Sequence, residues 1–212
     1  MADSNPTLSI PGGFLVALEG IDGAGKSTAL RGLTSFCEAK GLPYRSGREP
    51  TNGQWGQALR ASAASGRLSL EEELELFCKD RAEHVREVIQ PALERGEVVL
   101  LDRYYLSTAA YQGARGADPA AIIARNEAFA PRPDLVLLLD VDPARGLGRV
   151  RSRGDVPDAF EREEELREVR RIFLEIRWPN LVRIDGSRAP EEVAGECAAA
   201  LGEALASRVK RP

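Results

Sequence analysis

The chain has 212 residues, of which 43% are hydrophobic and 29% charged, enough for one compact globular domain with a sizeable core and unlike a disordered polymer or a coiled coil. Its 29 basic residues against 33 acidic ones leave a formal charge of -4, which excludes a general polyanion binder, so no nucleic-acid partner is expected and any basic chemistry must be local. Three separated cysteines, Cys37, Cys78 and Cys197, sit in apolar helix-like sequence and form neither a disulfide framework nor a zinc knuckle, so a reducing, cytoplasmic compartment is expected.

Residues 1–12 are polar and carry Pro and Gly, with no basic start or apolar stretch; they read as a flexible tail before a single domain over 13–212. No run approaches the roughly 18 to 20 apolar residues that span a bilayer, so no membrane partner is expected. Strand candidates follow at Gly13 to Glu19, Pro43 to Glu49, Val98 to Asp102, Leu135 to Asp140 and Leu181 to Asp185. They alternate with longer amphipathic stretches, which predicts an α/β fold with a five-stranded parallel sheet flanked by helices. Ligands of such sheets bind at the carboxyl edge, which places Glu49, Asp102 and Asp140 on the functional rim. Ser69-Leu70-Glu71-Glu72 reads as a capping box opening a long helix toward Gly96, and Pro91 is expected to kink or break its last turn. Arg151 to Phe160 reads as a mobile loop, within a lid at about 149–162, and Pro190 to Arg208 as a closing helix.

Gly20-Ile21-Asp22-Gly23-Ala24-Gly25-Lys26-Ser27 fits G-x-x-x-x-G-K-[ST] and follows the apolar run Phe14 to Leu18 directly. Its glycines let successive backbone N–H groups surround a phosphate, the next helix presents its positive end, Lys26 reaches the β/γ-phosphates and Ser27 can ligate Mg²⁺. The ATP-binding set is therefore Gly20 through Ser27 with Thr28. Asp102, an acid closing an apolar strand, is a candidate to hold Mg²⁺, usually through water; a plain buried strand capped by Asp is the other reading. The other lysines are Lys40, Lys79 and Lys210, so no Asn-Lys-x-Asp guanine reader exists and a GTP switch is excluded.

From Asp102 the run Asp-Arg-Tyr-Tyr-Leu-Ser-Thr-Ala-Ala-Tyr-Gln-Gly resembles the D-R-Y-x-x-S-x-x-A-Y-Q-G signature of thymidylate kinases. The P-loop with an acid at its third position, Arg48-Glu49-Pro50 and Phe77-x-x-x-Arg81-x-x-His84 match further blocks in the same order, so the resemblance covers Phe14 to Glu161. It implies a P-loop nucleoside monophosphate kinase fold with a lid, ATP as donor, dTMP as acceptor, Mg²⁺ as cofactor and a homodimer. Phe77 and Arg81, four apart on one helical face, can converge on one ligand; the family stacks thymine on the aromatic and bonds its carbonyl edge with the arginine, although a helix Phe also suits a core. By the same resemblance Arg48 and Arg103 clamp the acceptor phosphate, and Asp22 lies near the acceptor's sugar hydroxyl and the metal. Thr108, Tyr111 and Gln112 line the nucleoside pocket, with Tyr111 crowding a ribose 2′-OH. His84 reads as a satisfied helix histidine.

A phosphate acceptor with a second pKa near ~6 is already mostly dianionic at neutral pH and needs no general base. Catalysis then rests on positioning and charge neutralisation, for which the candidates are Lys26, Asp22, Arg103, Arg149 and Arg153. Arg145, Arg149 and Arg153 recur four apart, either as a solvated face paired with Glu161 to Glu165 or as lid arginines. Gly146 to Gly154 resembles the lid of the bacterial subgroup, in which Arg151 would contact ATP and Gly23 stands where the other subgroup has an arginine. Ala159, Pro157 and Phe173 depart from the family pattern. Two rivals stay open: a nucleoside kinase, which would need a carboxylate base beside a neutral hydroxyl, and a regulatory ATP-binding module without turnover.

Overall fold

The computed structural model describes residues 10–65, 68–152, 159–206 and 208, with the backbone alone at 63–65 and 159–162. Five strands, β1 (Phe14–Glu19), β2 (Tyr44–Arg48), β3 (Val98–Asp102), β4 (Leu135–Asp140) and β5 (Leu181–Asp185), form one parallel sheet in the order β2-β3-β1-β4-β5. The three central strands are apolar and almost wholly buried, whereas the edge strands read Tyr-Arg-Ser-Gly-Arg and Leu-Val-Arg-Ile-Asp and stay largely open. That contrast is what helices on both faces of a parallel sheet impose on its middle but not on its margins.

Among the described residues the helices are α1 (Lys26–Lys40), α2 (Gln54–Ser65), α3 (Leu70–His84), α4 (Gln90–Glu94), α5 (Tyr105–Gly113), α6 (Pro119–Glu127), α7 (Pro143–Arg151), α8 (Ala159–Glu175) and α9 (Pro190–Ala206). The chain leaving β1 travels through α1 to β2, while that leaving β4 goes the other way to β5, so a crevice opens at the carboxyl end of β1. Register aligns Arg48 and Leu18 with Asp102, which brings β2, β1 and β3 to one functional level.

Ser69 does cap α3: its hydroxyl accepts the Glu72 N–H, and the Glu72 carboxylate accepts the Ser69 N–H. Replacing Ser69 by alanine should cost about 1 kcal/mol, read as a Tm lower by about 2–4 °C. The helix does not break at Pro91. A π-helical turn over Val85–Ile89 joins α3 to α4, with the Gln90 N–H reaching back to the Val85 carbonyl, and the proline falls in the first turn of α4, where its missing N–H costs little.

Ile10, inside the segment read as a tail, is fully buried and its N–H bonds the Gly96 carbonyl at 3.1 Å; residues 1–9 lie outside the described residues. So do 153–158, which include Arg153, Pro157 and most of the loop read over Arg151 to Phe160.

Candidate active site

The P-loop is shaped by three glycines whose backbone would strain any side chain. Gly20 (φ 137°), Gly23 (φ 77°) and Gly25 (φ 99°) all lie in the left-handed region, and a Cβ on Gly20 would come within 2.4 Å of the Leu139 carbonyl oxygen. Gly25 begins α1 with no side-chain cap and no acid in the first turn, so the helix N-terminus turns its unpaired N–H groups and positive end outward, as an anion site requires. Lys26 is nearly buried and donates to the carbonyls of Gly20 (2.9 Å) and Ile21 (2.8 Å). Burial, with help from the nearby Arg103 charge, lowers its amine to about 7 against the pull of Asp102, Asp22 and Glu19.

Beside Lys26 the Ser27 hydroxyl donates to Asp102 Oδ2 at 2.8 Å. A cavity over this pair is walled by Asp22, Gly25, Lys26, Arg48, Asp102 and Arg103. The Arg48 side chain stands exposed on its rim without a hydrogen bond or ion pair of its own among the described residues, while Arg103 is held firmly. Its Nη2 donates to Asp22 Oδ1 (2.8 Å) and the Tyr111 hydroxyl (3.1 Å), and its Nη1 to the Gly20 carbonyl (3.2 Å) and Ser107 Oγ (3.0 Å). Arg103 is also the one non-glycine among the described residues with positive φ, at 72°, a conformation that costs roughly 1 kcal/mol.

Asp22 and Arg103 form a shared wall, because a second cleft continues from them between α3 and α5. Phe77, Arg81, Thr108, Tyr111, Gln112 and Pro50 line it. Phe77 is half-buried at its edge rather than sealed in the core. Arg81 is only 1% exposed; Nε bonds Glu49 (2.8 Å), Nη1 bonds Asn126 and Nη2 bonds Thr108 Oγ1 (3.1 Å). Three of its five N–H donors are thus committed, and two are left for a ligand. Spacing of 108, 111 and 112 puts all three α5 residues on one helical face. Tyr111 lies under the Arg103 guanidinium, 4.8 Å from ring centroid to Cζ, and burial pushes its phenol up to about 12.

The family model described as thymidylate kinase matches residues 18–196. The chain belongs to the thymidylate kinase family. It is 50% identical over 200 residues to the thymidylate kinase of Xanthomonas campestris pv. campestris (strain B100), covering 94% of this chain and 88% of that protein. The thymidylate kinase of Akkermansia muciniphila is 52% identical over 189 residues, covering 89% and 91%.

Against that family the remaining residues can be placed. Arg149 reaches the P-loop from its outer side, donating to the carbonyls of Gly23 (3.2 Å) and Gly186 (2.8 Å), and with Arg188, Pro190 and Val193 it lines a separate recess beside Gly25 and Thr28. Arg145 and Arg151 face solvent, and Arg153 lies outside the described residues. Asp140, on the sheet rim, is occupied by two guanidinium groups, Arg170 and Arg183, and serves packing of α8 and β5 rather than the crevice. His84 is satisfied, as its sequence context implied: Nδ1 lies 3.0 Å from Glu49 Oε1.

In this thymidylate kinase Gly23 could not be an arginine without moving α7. A Cβ there would stand 2.1 Å from the Gly146 carbonyl oxygen, and one on Gly146 would stand 2.7 Å from the Asp22 carbonyl oxygen. P-loop and α7 therefore meet backbone to backbone. Gly23→Ala should lower kcat/KM for ATP at least ten-fold and lower Tm, since the φ of 77° adds strain to the clash; unchanged kinetics would contradict the packing.

Sequence reasoning put Glu49 on the functional rim without a partner for it, and missed Glu19, Glu73, Ser107 and Asn126 as parts of the site. Glu49 holds both Arg81 and His84, and Glu73 pairs with Arg115 and accepts from Gln112 Nε2 at 3.4 Å. Glu49 carried a signal, its place at a strand end, but nothing in the spacing joins Asn126 to an arginine 45 positions earlier.

Proposed function

We propose that this thymidylate kinase transfers the γ-phosphoryl group of ATP to the phosphate of dTMP, giving dTDP and ADP. One observation carries the reading: an anion cradle and an aromatic-edged cleft share the Asp22–Arg103 wall, so two polyanionic substrates can meet end to end across it. A phosphate oxygen of dTMP forms the new bond to the γ-phosphorus, the bond to the β–γ bridging oxygen breaks, and ADP leaves with that electron pair.

ATP phosphates lie against the α1 N-terminus and Lys26, and Thr28 extends the backbone cradle. Arg48 and Arg103 hold the acceptor phosphate: the open Arg48 fork can bond an oxygen pair better than a point charge, while Arg103, with its four Nη donors committed, adds its charge and one N–H. Phe77 stacks the base, the two remaining Arg81 donors meet its carbonyl edge, and Thr108 and Gln112 complete the pocket, with Tyr111 against the deoxyribose. Asp22, fixed by Arg103, sits beside the acceptor sugar. Among the described residues the carboxylates lining the crevice are committed, Asp22 to Arg103, Asp102 to Ser27, Glu49 to Arg81 and Glu73 to Arg115, which suits an acceptor that brings its own dianion and disfavours a nucleoside kinase needing a base.

The pairing of Ser27 Oγ with Asp102 is a hard-oxygen donor set poor in protein ligands, and among the described residues no three acids, histidines or cysteines cluster for a metal. Such a site suits Mg²⁺, which takes most of its shell from phosphates and water. Ser27 and Asp102 would hold it, and the ion would offset charge on the phosphates. By the family resemblance a lid at about 149–162 would bring Arg153 to the moving phosphoryl group and Arg151 to ATP, whereas Arg149, bonded to the Gly23 and Gly186 carbonyls, braces the P-loop from its outer side instead of facing the crevice. The protein works in the cytoplasm, in keeping with three free cysteines; no helix is long and apolar enough to cross a membrane among the described residues. It acts as a homodimer, which sedimentation at twice the chain mass would test.

Phe77→Ala tests the base platform. Loss of stacking worth roughly 1–3 kcal/mol per base should raise KM for dTMP by about five-fold or more and leave KM for ATP within two-fold, measured as dTMP-dependent ADP release; equal losses for both substrates would contradict it.

A further inference from the structure

Glu19 closes β1 with no exposed surface, and phosphoryl transfer as described above makes no use of it. Its Oε1 accepts the Tyr104 N–H at 3.0 Å, and Oε2 accepts a short hydrogen bond from the Ser107 hydroxyl. Ser107 Oγ in turn accepts from Arg103 Nη1 at 3.0 Å. These contacts fall on one feature, the turn from β3 into α5, where Arg103 adopts its left-handed backbone and Tyr104 starts the helix without a capping side chain.

We propose that Glu19 is a positioning residue for the transfer reaction: through Ser107 and the Tyr104 amide it holds the strained turn that aims Arg103 across the seam between the two substrate sites. The inference rests on reading Arg103 as the acceptor-phosphate clamp. Its logic is directional. Arg103 donates to Ser107, Ser107 donates to Glu19, and the chain must end on a group that only accepts, while the same group takes a second donor from the Tyr104 backbone. An ionised carboxylate meets both demands, and at the N-terminus of α5 it also faces the positive end of the helix. Glutamine, although the same size, can accept on one side only. Burial pushes the Glu19 carboxyl up to about 7, while Ser107, the Arg103 charge, the Tyr104 N–H and the Lys26 charge favour the ionised form.

The test compares Glu19→Gln, Glu19→Asp, Ser107→Ala and Arg103→Ala in steady-state assays of dTMP-dependent ADP release, with thermal melting of each. Glu19→Gln should cut kcat/KM for dTMP by ten-fold or more with KM for ATP within two-fold. Ser107→Ala should do the same, the pair together should be no worse than Glu19→Gln alone, and Glu19→Asp, which keeps the double acceptor, should recover part of the loss. Wild-type kinetics in Glu19→Gln and Ser107→Ala beside a large loss in Arg103→Ala would overturn the inference and leave the clamp standing. Unchanged dTMP kinetics in Arg103→Ala would overturn both. A lower Tm in Glu19→Gln with normal kinetics per folded molecule would make Glu19 merely structural, and should that variant fail to fold, Ser107→Ala decides by the same criterion.

Discussion

Lys26→Ala should lower kcat by about three orders of magnitude, the scale on which a lost charge contact to a transferring phosphoryl group is felt, while the protein stays folded. The fold should survive because the amine does little for packing. It is nearly buried and bonded to two P-loop carbonyls, Gly20 and Ile21, and the desolvation of a cation there offsets much of what those bonds contribute. Turnover at saturating dTMP and ATP, with a melting curve, checks both halves; a full-rate variant would refute the role of the loop. A proton measurement adds a sign. Burial lowers the free lysine to about 7, so at pH 8 it is mostly neutral, and bound phosphates, which favour the ammonium, should draw in a proton. Calorimetry of ATP binding in buffers of different ionisation enthalpy should show more proton uptake for the wild type than for Lys26→Ala.

Arg103→Ala and Arg103→Gly should separate stability from activity. Both remove a fork that bonds Asp22, Tyr111, Ser107 and the Gly20 carbonyl. Four of the five Arg103 N–H donors are committed and one, on Nε, is left; with a charge-assisted bond at about 1.5–3 kcal/mol, losing that one to the acceptor phosphate should lower kcat/KM for dTMP by roughly 10–10²-fold or more. The backbone answers differently. At φ 72° glycine is unstrained and alanine is not, so the glycine variant should be the more stable by about 1 kcal/mol, equally inactive, and several degrees lower in Tm if that conformational argument is wrong.

Much of this was legible in the chain. Apolar runs of strand length became β1, β3 and β4 within a residue of their limits, because a strand covered on both faces must be greasy throughout. Glycines and a lysine in fixed spacing announced a phosphate cradle, and Ser69 announced its helix, because both work through local backbone geometry. What the sequence could not show depends on contacts made at long range. The P-loop touches α7 through Gly23 and Gly146, an approach that neither glycine advertises alone. Arg81 finds Glu49, Asn126 and Thr108 from three other elements. Glu19 looks like any acid ending a strand until the sheet seals it beneath α5. Of the kink or break expected at Pro91, the break is absent: the helix runs on, but its α-helical pattern gives way to a π-turn over Val85–Ile89 just before the proline.

The most direct measurement is ADP release from ATP with Mg²⁺, offering dTMP, dUMP, the ribose analogue of dTMP, CMP, AMP, GMP and thymidine separately at equal concentration. The account predicts clear preference for dTMP, weak turnover with the ribose analogue that Tyr111 crowds, and none with thymidine, which has no phosphate for Arg48 and Arg103. Turnover with thymidine, or ATP binding without any acceptor-dependent release, would contradict it.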